Sequence, residues 1–342
     1  MGNLTSVTSP TGATERIARD AAGRPTSYTD GAGTETRYAY DGEGNLTLKS
    51  YPASPGSEVG YSYDGEGRLA SRSDWTGTYM REYDGAGRIA SETDGAGRRL
   101  VYAYDGDGRV ASIAYPDGKV ARYAYDVVGN PSSISTDAGT WNVVCDAEGR
   151  PSSIARPDGS STSWQRDGLG RISSVENLDA HGDPVSSYAY AYDGAGRIAR
   201  EEWRAEGLGE GSRELSYDDA GRLEGVAGTG PDGAYQESFA YDAAGNRIEA
   251  ARTGAGAYHA TFAYDADGRL ASATTDGEKS AYAYDDAGNL VTREADDATT
   301  TYSYGLENRL TAVMRGDALS LGVAYDGDGN RIWQASVGEE AI

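Results

Sequence analysis

The side chains that most often perform catalysis or bind metals are few and widely separated in this sequence. His181 and His259 are the only histidines, and Cys145 is the only cysteine, among 342 residues. A catalytic triad or a histidine metal site needs such groups to converge. A single cysteine also excludes an internal disulfide and a cysteine-based zinc site. We therefore expect no enzyme activity, no metal site and no cofactor.

Two groups of aspartates are spaced like the first ligands of a calcium-binding loop. They are Asp326-Gly-Asp328-Gly-Asn330 and Asp105-Gly-Asp107. An EF-hand loop needs glycine at its sixth position and glutamate at its twelfth. Arg331 occupies the sixth position here. We therefore predict ordinary turns at both places.

These turns belong to a repeat that runs along the chain with the consensus Tyr-Asp-x-x-Gly-(Arg/Asn)-(Leu/Ile/Val). Fifteen units follow one another at steps of 20 to 26 residues. Three units replace the tyrosine, at Arg19, Cys145 and Arg166, and one replaces the aspartate, at Gly305. The predicted structural residues are Tyr40, Asp41, Gly44, Tyr63, Asp64, Gly67, Tyr83, Asp84, Gly87, Tyr104, Asp105, Gly108, Tyr125, Asp126, Gly129, Tyr192, Asp193, Gly196, Tyr217, Asp218, Gly221, Tyr241, Asp242, Gly245, Tyr264, Asp265, Gly268, Tyr284, Asp285, Gly288, Tyr325, Asp326 and Gly329.

A second turn signal lies midway between most units, as in Pro116-Asp117-Gly118 and Pro157-Asp158-Gly159. Aspartate and glycine supply the local hydrogen bonds and positive φ angles of tight turns. The segments between turns have six to eight residues and read as strands. Each period of about 21 residues therefore predicts one β-hairpin. We expect the longer steps between Asp167 and Asp265 to come from longer intermediate loops, most clearly at 178–184 and 204–212.

The tyrosines indicate which face of each strand is packed. Pairs such as Tyr38 and Tyr40 are two residues apart, and residues i and i+2 share a face of a strand. Only 44 residues are Leu, Ile, Val or Phe, whereas 26 are Tyr and 48 are Gly. An aliphatic content this low, with a net charge of −23, is also typical of disorder, but disordered chains are poor in aromatic residues. We predict an all-β fold in which tyrosine ladders replace an aliphatic core.

The expected sheet is long. About 30 antiparallel strands at a spacing of about 4.8 Å form one strip, and twisted sheets rarely exceed about ten strands without curling. We therefore predict a single curled or spiralling sheet of tandem hairpins, forming a shell segment or a tube. The predicted array covers residues 1–336, begins with a partial unit at Gly2-Asn3-Leu4 and leaves a C-terminal tail at 337–342.

The consensus, repeated in register over nearly the whole chain, resembles the YD (Rhs) repeat family. Relatives in that family include Rhs toxin shells, the cocoon of insecticidal toxin complexes and the YD shell of teneurins. The resemblance implies a hollow β-shell around a toxin or other cargo, and a secreted or cell-surface location. It does not transfer self-cleavage, because the only Asp-Pro pair, Asp183-Pro184, lies mid-array.

The leading hypothesis is thus a non-enzymatic shell that encapsulates or presents a toxin or protein cargo belonging to a longer parent protein. The alternative is an extracellular fibre or adhesin module that binds glycans or proteins. Open terminal strands suggest self-association. The acidity argues against nucleic acid as a partner, and the absence of a long apolar run argues against membrane insertion.

Overall fold

The computed structural model describes residues 5–295 and 298–336. Within these residues the backbone forms 31 β-strands and one short 3-10 segment, Leu306–Asn308. The predicted all-β fold of tandem antiparallel hairpins is confirmed. The described residues contain no helix that is long and apolar enough to cross a membrane. The predicted partial unit at 2–4 and the predicted tail at 337–342 lie outside the described residues.

The strands are β1 Ser6–Thr8, β2 Thr14–Arg19, β3 Pro25–Thr29, β4 Glu35–Tyr40, β5 Leu46–Ser50, β6 Val59–Tyr63, β7 Leu69–Asp74, β8 Gly77–Tyr83, β9 Ile89–Thr93, β10 Arg99–Tyr104, β11 Val110–Ala114, β12 Val120–Tyr125, β13 Pro131–Thr136, β14 Gly139–Cys145, β15 Pro151–Ala155, β16 Ser161–Arg166, β17 Ile172–Leu178, β18 Pro184–Tyr192, β19 Ile198–Ala205, β20 Gly209–Tyr217, β21 Leu223–Gly230, β22 Gly233–Tyr241, β23 Arg247–Gly254, β24 Tyr258–Tyr264, β25 Leu270–Thr275, β26 Glu278–Tyr284, β27 Leu290–Ala295, β28 Ala298–Tyr304, β29 Leu310–Arg315, β30 Ala318–Tyr325 and β31 Arg331–Ser336.

The strands belong to one antiparallel sheet. Strands pair with their neighbours along the chain, as β6 does with β7, β17 with β18 and β30 with β31. The fold is therefore built from local contacts. The described residues divide into two compact units, which lie within 1–99 with 261–342 and within 100–260.

The motif turn is a three-residue hairpin loop. In the turn after β6, the Asp64 N–H donates to the carbonyl of Arg68 and the Gly67 N–H donates to the carbonyl of Asp64. Gly67 has a φ of +76°, which an L-residue with a side chain adopts at a cost. One residue further from the turn, the register shifts between Ser62 and Tyr63. This register shift is a β-bulge, and it places the motif tyrosine directly before the turn.

The expectation that longer loops account for the longer repeats between Asp167 and Asp265 is wrong. The extra residues lengthen the strands, so that β18, β20 and β22 have nine residues each. The turn at 179–183 keeps the standard bonds, with the Asp179 N–H donating to the carbonyl of Asp183. The turn at 206–208 separates β19 from β20, which pair up to Ala205 and Gly209. Cross-strand pairing absorbs the added residues because each extended residue gains ladder hydrogen bonds.

The two faces of the sheet differ in burial. Along β18 the tyrosines Tyr188, Tyr190 and Tyr192 are half-buried, whereas Ala189 and Ala191 between them are exposed. We call these the tyrosine face and the small-residue face. Few side chains are fully buried, which agrees with the low aliphatic content and places most of the packing in the aromatic rows.

One prediction concerns the two glycines of a single motif turn. Gly67→Ala should lower the free energy of unfolding by about 1–2 kcal/mol because alanine is strained at a positive φ. Gly65→Ala is the matched control, since Gly65 lies outside the left-handed region and both positions have open space for a methyl group. Urea denaturation followed by circular dichroism measures both. Equal destabilisation by the two changes would contradict the assignment.

Candidate functional site

The aspartate of the motif is the hydrogen-bond centre of each turn. The Oδ1 atom of Asp64 accepts from the backbone N–H groups of Glu66 at 3.0 Å and Arg68 at 2.9 Å. Its Oδ2 atom accepts from Nε of Arg68 at 2.7 Å. The same three bonds surround Asp20, Asp84, Asp105, Asp146, Asp167, Asp193 and Asp265.

These bonds favour the ionised carboxylate. The side-chain hydrogen bond from Arg68 holds the pKa of Asp64 below its usual value, and the backbone N–H groups act in the same direction. At Asp193 the backbone N–H of Arg197 has the largest effect, and the pKa is again lowered. The turns therefore depend on charged aspartates.

In many of the units that carry it, the motif arginine also contacts the next repeat. The guanidinium carbon of Arg68 lies 4.4 Å from the ring centre of Tyr83, and the Tyr83 hydroxyl donates to the carbonyl of Leu69 at 2.9 Å. The same stacking joins Arg24 to Tyr40, Arg109 to Tyr125, Arg171 to Tyr192, Arg197 to Tyr217, Arg222 to Tyr241 and Arg269 to Tyr284. We call this chain of contacts the motif lattice.

Two units without the tyrosine keep a weaker version of its contact. Arg166 donates from Nη2 to the carbonyl of Pro151 at 3.5 Å, the place of a tyrosine hydroxyl, while its Nε has no hydrogen-bond partner. The thiol of Cys145 lies 3.8 Å from the carbonyl of Pro131. Cys145 is half-buried, and its position in the lattice matches a structural role better than a reactive one.

The other candidate residues do not come together. His259 contacts Glu249 at 2.9 Å, and His181 lies beside Asp179. The described residues contain no group of three or more His, Cys, Asp or Glu side chains that could hold a metal ion. In the turn after β30, Oδ1 of Asp326 accepts from the N–H of Asp328 and from the N–H of Asn330, as in an ordinary motif turn.

The second unit carries an open groove of about 860 Å³ on strands β16 to β21. Its floor contains hydroxyl-bearing and small residues of the small-residue face, such as Ser174, Ser187 and Ser212. Charged side chains of both signs surround them, including Arg200 and Glu202, which form an ion pair at 2.7 Å. Trp203 and Tyr188 also line the groove, which therefore mixes polar and apolar surface, with no concentration of one charge.

In the first unit, the motif turns that follow β24, β26, β28 and β30 approach hairpins near the beginning of the chain. The carboxylate of Asp267 accepts from the N–H of Thr11 at 3.0 Å. The Asn308 amide donates to the carboxylate of Asp30 at 3.3 Å. We call this line of contacts, between residues more than 250 apart, the seam.

Further along the seam, Glu307 accepts from the Tyr51 hydroxyl at 2.9 Å and forms an ion pair with Lys49. Burial raises the pKa of the Tyr51 hydroxyl well above its usual value, so it stays protonated as a donor. Next to it, the Gly327 N–H donates to Oδ2 of Asp74 at 2.8 Å. Gly327 has no room for a side chain, because a methyl group there would lie 2.7 Å from Val59.

Sequence reasoning missed the seam, although the motif carried a signal of it. Asn289 and Asn330 replace the motif arginine, and Gly305 replaces the motif aspartate, in three successive turns of the seam. The Asn289 amide donates to Oδ1 of Asn308, and the Asn308 amide donates in turn to Oδ2 of Asp30. Asparagine also occurs in turns for which no seam contact is found, so the signal alone does not locate the partner.

The fold and the motif lattice define a YD-repeat hairpin array. The family model described as teneurin YD-shell matches residues 11–190 and 175–341. The chain therefore belongs to the teneurin YD-shell family, as the repeat pattern predicted.

Two solved structures illustrate the similarity. One is the crystal structure of TcdB2-TccC3-Cdc42, with a TM-score of 0.63 and 13% identity over 98% of this chain and 25% of that chain. The other is the Tc holotoxin pore of Photorhabdus luminescens, with a TM-score of 0.63 and 14% identity over 94% of this chain and 21% of that chain. This chain thus spans a fifth to a quarter of those chains, and at these identities the likeness shows the fold. The search of curated proteins found no match.

Restoring a missing tyrosine should strengthen the lattice. We expect Arg166→Tyr to raise the free energy of unfolding by about 0.5–1.5 kcal/mol, since the new hydroxyl can donate to the carbonyl of Pro151. Arg166→Phe is the control, because it supplies the ring without the hydroxyl and should gain less. Urea unfolding measures both variants. A tyrosine variant no more stable than the phenylalanine variant would contradict the hydroxyl's role.

The lowered aspartate pKa values predict acid sensitivity. A carboxyl whose pKa is depressed by folding stabilises the fold above its unfolded pKa of about 3.9, and this contribution is lost as the pH falls through the folded values. The melting temperature should therefore drop steeply below about pH 4. Thermal melts between pH 6 and pH 2 test this, with Asp146→Asn as a comparison that should show a shallower drop. A melting temperature that does not change below pH 4 would refute it.

Proposed function

We propose that this chain is a non-enzymatic wall segment of a YD shell. In a longer parent protein, the wall would encapsulate or present a toxin or other polypeptide cargo. The observation that carries the proposal is the motif lattice, which joins hairpin to hairpin in a single sheet layer. Membership of the YD-shell family and the fold shared with toxin-complex chains support it.

The use of the polar motif groups supports a structural role. The tyrosine hydroxyl, the aspartate carboxylate and the arginine guanidinium of a unit are each bonded to backbone or to a neighbouring repeat, as at Arg68 and Tyr83. A catalytic group needs to be available to a substrate. The motif groups are instead occupied by hydrogen bonds and stacking contacts that connect the repeats of the wall. We accordingly propose the motif residues as structural residues of the array, which we place at 1–336.

We propose that the small-residue face of the second unit is the cargo-facing surface. Its groove is lined by hydroxyls and by mixed charges. Somewhat more than half of the groove's surface is polar, so an unfolded segment gains less by adhering to it than to an apolar groove. A wall of this kind confines a chain without binding it tightly.

The remaining features of the proposal rest on the family. We propose a secreted or cell-surface location and a partner that is a toxin or protein domain of the parent protein. Self-association through β1 and β31 belongs to the same proposal, because each is the last described strand at its end of the sheet. Neither nucleic acid nor a cofactor has a place in it.

The proposal is tested by fusing an unstructured, protease-sensitive polypeptide to the C terminus of the full chain. We expect the fused polypeptide to be cleaved several-fold more slowly than the same polypeptide alone. A photo-crosslinking residue at position 189, on the small-residue face, should capture the cargo. The same residue at position 213, an exposed site on the tyrosine face, is the matched control.

Cleavage at the rate of the free polypeptide, with no preference between the two crosslinking positions, would overturn the shell role. Glycan-array binding by the chain without cargo protection would favour the adhesin alternative, especially if tyrosine-to-alanine changes in one ladder abolished it.

A further inference from the structure

We propose that Arg72 is an electrostatic latch that holds the seam of the first unit closed. Arg72 lies on β7 with only 3% of its surface exposed. It is the one arginine among the described residues that is fully buried. The proposal concerns the opening of the first unit and is independent of any cargo.

The latch brings one positive charge to three carboxylates. Nη2 of Arg72 lies 3.0 Å from Oδ2 of Asp74 and 3.2 Å from Oδ2 of Asp326, and Nη1 contacts Asp328. Asp74 belongs to the same strand as Arg72, whereas Asp326 and Asp328 belong to the turn between β30 and β31. The guanidinium therefore lies between negative groups on the two sides of the seam.

Arg72 also takes the place of an arginine that the docked turn lacks. Asn330 occupies the motif arginine position, and its amide donates to Oδ2 of Asp326 at 3.1 Å. Arg72 donates to the same oxygen atom. It stacks at 3.8 Å on the ring of Tyr79, much as motif arginines stack on a tyrosine. A residue about 250 positions away thus completes the lattice of the last turn.

The charges around Asp326 agree with this geometry. Burial acts to raise the pKa of the Asp326 carboxyl, but the hydrogen bonds from Asn330 and Arg72 outweigh it and hold the pKa below its usual value. The carboxylate is therefore ionised at neutral pH. Without the guanidinium, no cation would separate the buried carboxylates of Asp74 and Asp326, and desolvation makes their repulsion strong.

Each side of the seam is held by its own hairpins, so opening the seam would leave these strand pairings intact. β7 pairs with β6 and β8, and β31 pairs with β30, within their own segments of the chain. The contacts across the seam include polar ones, as between Thr11 and Asp267, and the apolar contact of Val59 with Gly327. Opening would also expose the buried side chains of Tyr51 and Val59, so closure has an apolar contribution beside the electrostatic one.

Hydrogen exchange of the full chain tests the latch with the variant Arg72→Met. The Gly327 N–H crosses the seam to Asp74, so its exchange should accelerate by about 100-fold when the charge is removed. The N–H groups of Asp64 and Gly67 bond within one turn and should keep their protection. Arg72→Lys retains the charge and should leave the seam largely closed.

Two further variants separate charge from packing. Arg68→Met removes a lattice arginine of the hairpin formed by β6 and β7 and should not accelerate exchange at Gly327. Adding Asp328→Asn to Arg72→Met removes one of the three negative charges and should restore part of the protection. The latch is overturned if Arg72→Met leaves Gly327 protected or exposes Asp64 and Gly67 equally. It is also overturned if Arg72→Lys opens the seam as far as Arg72→Met, or if Asp328→Asn restores nothing.

Discussion

The aspartate carboxylate of the repeated motif is the interaction on which the rest of the structure depends. In one turn, Asp64 fixes the loop through two backbone N–H groups and orients Arg68. Arg68 stacks on Tyr83 of the next repeat, and that tyrosine donates back to the carbonyl of Leu69. Each repeat is therefore stabilised mainly by contacts with the adjacent repeats, as in other repeat proteins. This explains how a chain with 44 residues of Leu, Ile, Val and Phe forms an ordered sheet without a second layer.

Two departures from the motif show how the lattice changes when one of its residues is replaced. Where Asn330 replaces the arginine, the distant Arg72 supplies the guanidinium. Where Arg166 replaces a tyrosine, its side chain reaches toward the same kind of carbonyl acceptor, while its Nε has no hydrogen bond and only a 3.7 Å ion pair with Asp146. The first substitution creates a long-range contact, and the second leaves the lattice weaker.

The repeat spacing predicted the hairpins, the turn positions and the tyrosine face, because each is encoded within about 21 residues by turn chemistry and the two-residue alternation of a strand. It did not predict that the longer repeats lengthen β18, β20 and β22, since the pairing register depends on the facing strand. Nor did it predict the seam. Arg72 stands between two serines in an ordinary strand segment, and nothing local indicates a partner at Asp326.

The charge balance explains why a single arginine matters so much at the seam. The chain has 54 acidic residues against 31 Lys and Arg, only three of which are Lys. Ten of the 28 arginines are paired with an aspartate four residues earlier in their own turn. The remaining 21 cations are outnumbered about two to one by the remaining 44 acidic residues. In such an acidic chain, Lys49 and Arg72 are important for closing the seam, because each neutralises carboxylates that would otherwise repel one another across it.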